Sequence, residues 1–277
     1  MRLLFIRHGD PDYKTDSLTE QGRNEAEALA RHIGEEGIDV MYQSPLGRAQ
    51  ETAAFCGKAL GMKAETLGWL QEFPAKLDVS GNDFLERAYP DTRIDPETGK
   101  FRRDRIVWDM LPSAAMEDPR YLGTPQYAEG SSSADRSPEW ASTWRNSVTA
   151  HHSDLNEVYD SVTASFDQLL AKYGYERSGP YYHVKKENRM TIAFFCHYGV
   201  TSVLLSHIWN VSPFALFNGI CMQTTSVTEL ITEEREQGVA CLRALRIGDI
   251  SHLIREGVRP SFMARFTDVY SDRTLRH

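Results

Sequence analysis

The run Leu3-Leu4-Phe5-Ile6, cut off by Arg7-His8-Gly9, limits what this chain can fold into more than any other stretch. Consecutive apolar residues without polar alternation need cover on both faces, the condition of a central strand in an α/β sheet. The pattern returns far downstream, where Met190 to Cys196 is followed by His197-Tyr198-Gly199 and then by a helical run from Val200 to Trp209. Two such strands place both histidines on one edge of a parallel sheet when the connections are right-handed crossovers. Ligands of open α/β sheets bind at that carboxyl edge.

A His beside an Arg and before a Gly suits phosphate chemistry. Imidazole can attack phosphorus, a guanidinium can hold two phosphate oxygens, and glycine lets the backbone come close. Alone, the pair reads more readily as a solvated strand end, so its neighbours matter. Ser17-Leu18-Thr19-Glu20-Gln21-Gly22 carries a helix start, with Ser17 and Thr19 as competing N-caps, and Ala26, Leu29, Ala30 and Ile33 follow at helical spacing. Ile38 to Tyr42 reads as the second strand. In Ser44-Pro45-Leu46-Gly47-Arg48-Ala49, Ser44 is expected to cap a helix with Pro45 at its first position, which puts Arg48 in the first turn beside free N–H groups. Met62 to Leu70 reads as a strand and its exit. Glu72, between Leu70 and Phe73, is either a surface loop residue or a buried carboxyl kept protonated as an acid.

From Pro74 to about His152 the periodicity weakens. The segment is rich in aromatics (Phe84, Tyr89, Phe101, Trp108, Tyr121, Tyr127, Trp140, Trp144) and broken by prolines, so an inserted, mostly helical lid or substrate subdomain is expected over 74–152. Gly130 to Ser133 reads as a flexible connection, and Arg102, Arg103 and Arg105 as a solvated basic face or a contact for a second anionic group. His151-His152 does not have the convergence a metal site needs. The core is expected over 1–73 and 153–250, with a helix from about Asp154 to Lys172, two late strands (Gln223 to Thr232 and Gly238 to Ile247), and a tail over 251–277 that covers the site or packs on a second subunit. The fold class is α/β, a three-layer α/β/α sandwich with a mostly parallel central sheet and a largely helical insertion.

With a formal charge of −8 over 277 residues, the chain is a poor nucleic-acid binder, while a local arginine cluster can still focus field on a small anion. Cys56, Cys196, Cys221 and Cys241 lack CxxC spacing and read as reduced thiols of a cytoplasmic protein. Neither a signal peptide nor a membrane span is read from the sequence.

Taken together, Arg7-His8-Gly9, Leu18-Thr19 to Gly22, Ser44-Pro45-Leu46 with Arg48-Ala49 and Thr52-Ala53, Leu70 with Glu72, and His197 at a strand end resemble the histidine phosphatase superfamily, in its phosphoglycerate mutase-like branch. The resemblance covers the core on both sides of the insertion. It implies His8 as nucleophile, Arg7 and Arg48 as phosphate clamps, His197 as the second histidine, Glu72 as proton donor and Gly9 in the phosphate-binding set. Tyr198, Asp10 and Thr19 are the expected substrate contacts. Tyr198 stands where the family often has a small residue. Three donors around the equatorial oxygens allow phosphoryl transfer without a metal or other cofactor.

The resemblance thus implies a metal-independent phosphatase that hydrolyses a small-molecule phosphate monoester through phospho-His8. The short loop from Asp10 to Asp16 has no match for the mutases' substrate-contacting segment, which favours hydrolysis over phosphomutase activity. A proton donor from the insertion, Asp83 or Glu86, is the alternative to Glu72. A catalytically idle phosphate-binding or regulatory domain is the reading from another class, and a homodimer is left open. Cys196 beside His197 is excluded as a nucleophile because neighbouring strand residues point to opposite faces.

Overall fold

In a computed structural model of the chain, residues 1–90, 104–122 and 144–261 are described. The chain divides into two compact units. The first comprises Met1–Phe73, Ser165–Thr201 and Ile220–His277, the second Pro74–Ala164 and Ser202–Gly219.

The first unit is built on an eight-stranded mixed sheet. In chain order its strands are β1 (Arg2–Arg7), β2 (Val40–Gln43), β3 (Glu65–Thr66), β4 (Tyr175–Ser178), β5 (Tyr181–Val184), β6 (Thr191–Cys196), β7 (Val227–Glu236) and β8 (Val239–Asp249). Their spatial order is β3-β2-β6-β1-β7-β8-β5-β4. The pairings β3–β2, β2–β6 and β6–β1 are parallel, and every pairing from β1 to β4 across β7, β8 and β5 is antiparallel. The two apolar runs of the sequence are therefore neighbours, in register from Arg2 opposite Thr191 to Arg7 opposite Cys196.

Both faces of β1 are buried, as its uninterrupted apolar run requires, with Leu3, Leu4, Phe5 and Ile6 at most 2% exposed. Leu4 and Ile6, with Ala193 and Phe195, face one core that takes in Leu29 and Ile33 at one helix and Ala53 and Cys56 at another. Those helices are α1 (Glu20–His32), with Ile33 as its C-cap, and α2 (Gly47–Leu60). On the opposite face Phe5 stacks on Phe194 with ring centroids 5.1 Å apart, and Phe166 lies 6.2 Å from Phe5. Phe166 comes from α4 (Leu155–Lys172), after α3 (Asp83–Ala88) in the second unit. Strand alternation alone sends Leu4 and Ile6 one way and Phe5 the other.

Several local expectations shift. Thr19, not Ser17, caps α1, its side chain accepting from Gly22 N. The second helix starts at Gly47 with Leu46 as N-cap, so Ser44 is not its cap. Of Met62 to Leu70 only Glu65–Thr66 is strand, followed by a 3₁₀ turn over Gly68–Leu70. The hairpin of β4 and β5 was not foreseen at all.

In the second unit the aromatics form the core. Tyr121 meets Phe214 edge-on at 4.9 Å, Trp144 lies 4.8 Å from Tyr159, and the buried Tyr89 hydroxyl donates to Val107 O at 3.1 Å. Asn82 caps α3 by accepting from Leu85 N. Phe101, Arg102, Arg103, Tyr127, Gly130 to Ser133, Trp140 and the tail beyond Ser261 lie outside the described residues. Among the described residues no helix is long and apolar enough to cross a membrane.

Candidate active site

The site begins with the pairing of β1 and β6. Because the strands are parallel and adjacent, the residues that leave them, His8 and His197, come out on one edge, with ring centroids 5.0 Å apart. His8 N donates to Cys196 O, and Thr225 N donates to His8 O from the other side, so the main chain of the first histidine is held on both flanks.

The chain then turns sharply, and glycine makes the turn fit. A Cβ on Gly9 would lie 2.6 Å from Gly22 O, and one on Gly22 would lie 2.2 Å from Asp10 O, so loop and helix touch backbone to backbone. The contact is fastened by Gly9 N donating to Thr52 Oγ1, Thr19 N to Asp10 O, and Asp10 N to Oε2 of the buried Glu25.

The hydrogen bonds fix the His8 tautomer. Nδ1 lies 2.7 Å from Gly9 O, and a carbonyl only accepts, so the proton sits on Nδ1. Nε2 accepts from Arg48 Nε at 3.3 Å and so carries the lone pair. Burial, then the neighbouring Arg7 and Arg48 guanidiniums, hold the His8 pKa well below the usual 6.5. A buried, neutral imidazole with its lone pair facing an arginine can attack an electrophile without first losing a proton.

His197 is held by Ser44, whose Oγ accepts from Leu46 N and stands 2.7 Å from His197 Nε2. The other ring nitrogen, Nδ1, is buried and without a hydrogen-bond partner among the described residues. Burial, then the charges of His8, Arg48 and Arg7, push its pKa well down. His8 thus offers a lone pair, and His197 turns an unpartnered ring nitrogen into the same buried neighbourhood.

Arg7 donates through Nη1 to Met222 O at 2.5 Å, while its buried Nε has no partner among the described residues. Its guanidinium lies 6.0 Å from the ring centre of Tyr198, a buried residue whose hydroxyl donates to Ile220 O at 3.3 Å. Glu72 is half-buried, its Oε1 accepting from Phe73 N at 3.0 Å, Gly199 N at 2.9 Å and Val200 N at 3.3 Å. The last two N–H groups belong to the first turn of α5 (Tyr198–Trp209). Burial outweighs these bonds and the two arginines and pushes the carboxyl pKa up.

The structure therefore brings His8, His197, Arg7, Arg48, Gly9, Glu72 and Tyr198 into one neighbourhood. Asp10 and Thr19 are engaged with each other: Thr19 Oγ1 donates to Asp10 Oδ2 at 2.6 Å and accepts from Gly22 N at 3.0 Å, so both sides of the hydroxyl hold the loop on α1. Of the basic run, Arg105 donates to Tyr89 O at 2.9 Å within the second unit. Asp83 and Glu86 are exposed on α3, and Glu86 Oε1 accepts from Gly81 N at 3.2 Å. Cys196 is fully buried with its thiol pKa pushed up to about 12, as expected of a group that takes no part. Sequence reasoning missed Tyr13 and Asp16, which both contact Arg48, and read Ser44 as a cap instead of as the partner of His197.

Residues 3–92 match the model of the histidine phosphatase superfamily, branch 1. That stretch of the chain, from β1 past Glu72, is similar to the histidine phosphatase superfamily. Solved structures share its fold. A phosphoserine phosphatase from Entamoeba histolytica, in complex with phosphoserine, is 16% identical, with 91% of this chain and 98% of that one covered at a TM-score of 0.50. A mycobacterial glucosyl-3-phosphoglycerate phosphatase with inorganic phosphate is also 16% identical, covering 91% of this chain and 98% of its own at 0.51. A protein described as mycobacterial hydrolase 1 is 17% identical over 90% of this chain and 98% of its own at 0.50. No curated protein matches the sequence.

Proposed function

We propose that the chain is a phosphatase that hydrolyses a small phosphate monoester through a phosphohistidine on His8. The observation that carries this reading is the tautomer of His8: Nδ1–H is bound to Gly9 O, and the Nε2 lone pair faces the guanidinium of Arg48. In the first step Nε2 attacks phosphorus and the ester P–O bond breaks. The equatorial oxygens gain charge that Arg7, Arg48 and His197 neutralise. Glu72, whose carboxyl pKa burial raises, gives its proton to the departing alkoxide. In the second step a water attacks the phosphorus, the P–N bond breaks, and Glu72 takes the proton that the water gives up. Phosphate leaves, and His8 is neutral again with its proton on Nδ1.

Support of a coarser kind comes from the two phosphatases of the same fold, whose named substrates are small phosphate monoesters. No metal is assigned a role, because the arginines and His197 supply the charge and donors the step needs.

The test is a rapid-quench reaction with an aryl phosphate in excess chelator, comparing the protein with His8→Ala. Acid-labile, base-stable phosphate on the unmodified chain alone, with free phosphate released, is expected. Equal turnover by His8→Ala would overturn the assignment of the nucleophile, and loss of activity to chelator would overturn the metal-free route.

A further inference from the structure

The loop between Gly9 and α1 makes two contacts with Arg48 that the reaction as written does not use. Asp16 Oδ1 takes Arg48 Nη1 at 2.5 Å, while Asp16 Oδ2 accepts from Gly47 N at 2.7 Å. Tyr13, from the same loop, lies with its ring centre 5.4 Å from the guanidinium carbon of Arg48. Asp16 is held at φ 49°, a left-handed conformation that aspartate adopts more readily than most residues. The loop also presses on the helix start, since a Cβ on Gly47 would lie 2.1 Å from Asp16 O. The carboxylate is thus placed by the backbone on both sides.

A guanidinium is planar and presents donors along distinct edges. Here a tyrosine ring lies within cation–π range, a carboxylate takes Nη1, and Nε points at His8 Nε2. Nη2 makes no hydrogen bond among the described residues, and it shares with Nε the edge turned toward His8. That edge is the bidentate one a phosphoryl group on Nε2 would meet.

We propose that Asp16 is a positioning residue for Arg48: by holding Nη1 it turns the Nε–Nη2 edge toward the phosphoryl group carried between substrate and His8. Tyr13 fixes the tilt of the same plane. The inference rests on the proposed phosphohistidine route for its kinetic consequence, but not for its effect on phosphate binding. It also makes a counter-intuitive demand. A carboxylate beside an anion site should weaken anion binding by repulsion, so removing its charge should tighten phosphate unless the carboxylate's work is to orient the arginine.

The experiment uses the full chain with Asp16→Asn, which keeps an acceptor for Gly47 N–H while losing the charge. Calorimetric titration with inorganic phosphate is expected to show binding weakened roughly tenfold, the scale of one lost charge-assisted hydrogen bond. Unchanged or tighter binding overturns the proposal. Single-turnover phosphorylation by an aryl phosphate then compares Asp16→Asn, Arg48→Ala and the double variant. A loss of roughly ten- to a hundredfold in Asp16→Asn that disappears in the Arg48→Ala background is the expected result. The same loss repeated in full without Arg48 marks Asp16 as a general support of the loop and overturns the proposal. If the unmodified chain takes no label, the phosphohistidine reading fails, and the phosphate titration still decides the role of Asp16.

Discussion

Replacing Glu72 by glutamine separates proton transfer from everything else the residue does. Glu72 Oε1 accepts from Phe73, Gly199 and Val200 N–H groups at 3.0, 2.9 and 3.3 Å, and an amide oxygen can accept all three. Burial already favours the uncharged carboxyl, so the amide also matches its charge in the state that begins the reaction. The cost to folding should therefore stay under about 1 kcal/mol. What the amide cannot do is give up a proton to the leaving oxygen. A positioned acid contributes about 10²–10⁴-fold, or about 3–5 kcal/mol of barrier. Alkyl phosphates, whose alkoxides leave poorly, should lose that full factor in phosphorylation of His8. Activated aryl phosphates, whose phenolates leave without help, should stay within about threefold of the unmodified chain, a margin of roughly 0.6 kcal/mol. The assay is rapid-quench measurement of enzyme-bound phosphate across a series of esters graded by leaving-group acidity, with a thermal melt as control. Equal slowing of both classes with an unchanged melt would refute the argument. The acid would then have to be sought elsewhere, in the first place at the exposed Asp83 or Glu86 of α3.

The pH profile of kcat/KM follows from the same two groups. His8 must be neutral, and burial with two arginines puts its pKa well below 6.5, so the acid limb should fall below the ordinary histidine range. Glu72 must be protonated, and its pKa is raised from 4.5, so activity toward alkyl phosphates should decline as pH rises through that raised value. In Glu72→Gln the basic limb should disappear; a limb that persists unchanged would assign it to another group. Gly22→Ala places a methyl 2.2 Å from Asp10 O, which must push the Gly9–Asp10 turn off α1. A loss of about 1–3 kcal/mol in denaturant titration is expected, together with a fall in kcat. Unaltered stability would show that the loop yields more easily than its three backbone ties suggest.

What could be read from the sequence, and what could not, divides along physical lines. The two histidines were legible because an unbroken apolar run forces a strand into the middle of a sheet, and a polar side chain just past it must emerge at the edge. Arg48 was placed in a first helical turn for a partly wrong reason. Ser44 has the chemistry of a cap, but its hydroxyl goes to His197, and the helix waits two further residues to begin. Cap preference is a local energy of about 1 kcal/mol, and a contact spanning 153 residues outweighs it here. Met62 to Leu70 was over-read because β3 lies at the sheet edge, where only β2 supports it. The β4–β5 hairpin had a signal, Gly179-Pro180 between two tyrosine-bearing stretches, that went unused. Asp16 had none. Nothing local distinguishes it from Asp10 or Asp12, and its contact is with an arginine on α2, 32 residues away.

The sheet order has a consequence for the growing chain. β1 is made about 180 residues before β6 and still longer before β7, its two neighbours in the sheet, and β2 cannot substitute because β6 stands between them. At about 5–20 residues per second, roughly 180 residues of synthesis leave the apolar strand without either partner for on the order of ten to forty seconds. During that interval both hydrogen-bonding edges of Leu3 to Ile6 are open to pairing with other chains. A chain interrupted before Thr191 carries an intact Arg7-His8-Gly9 signature and no site.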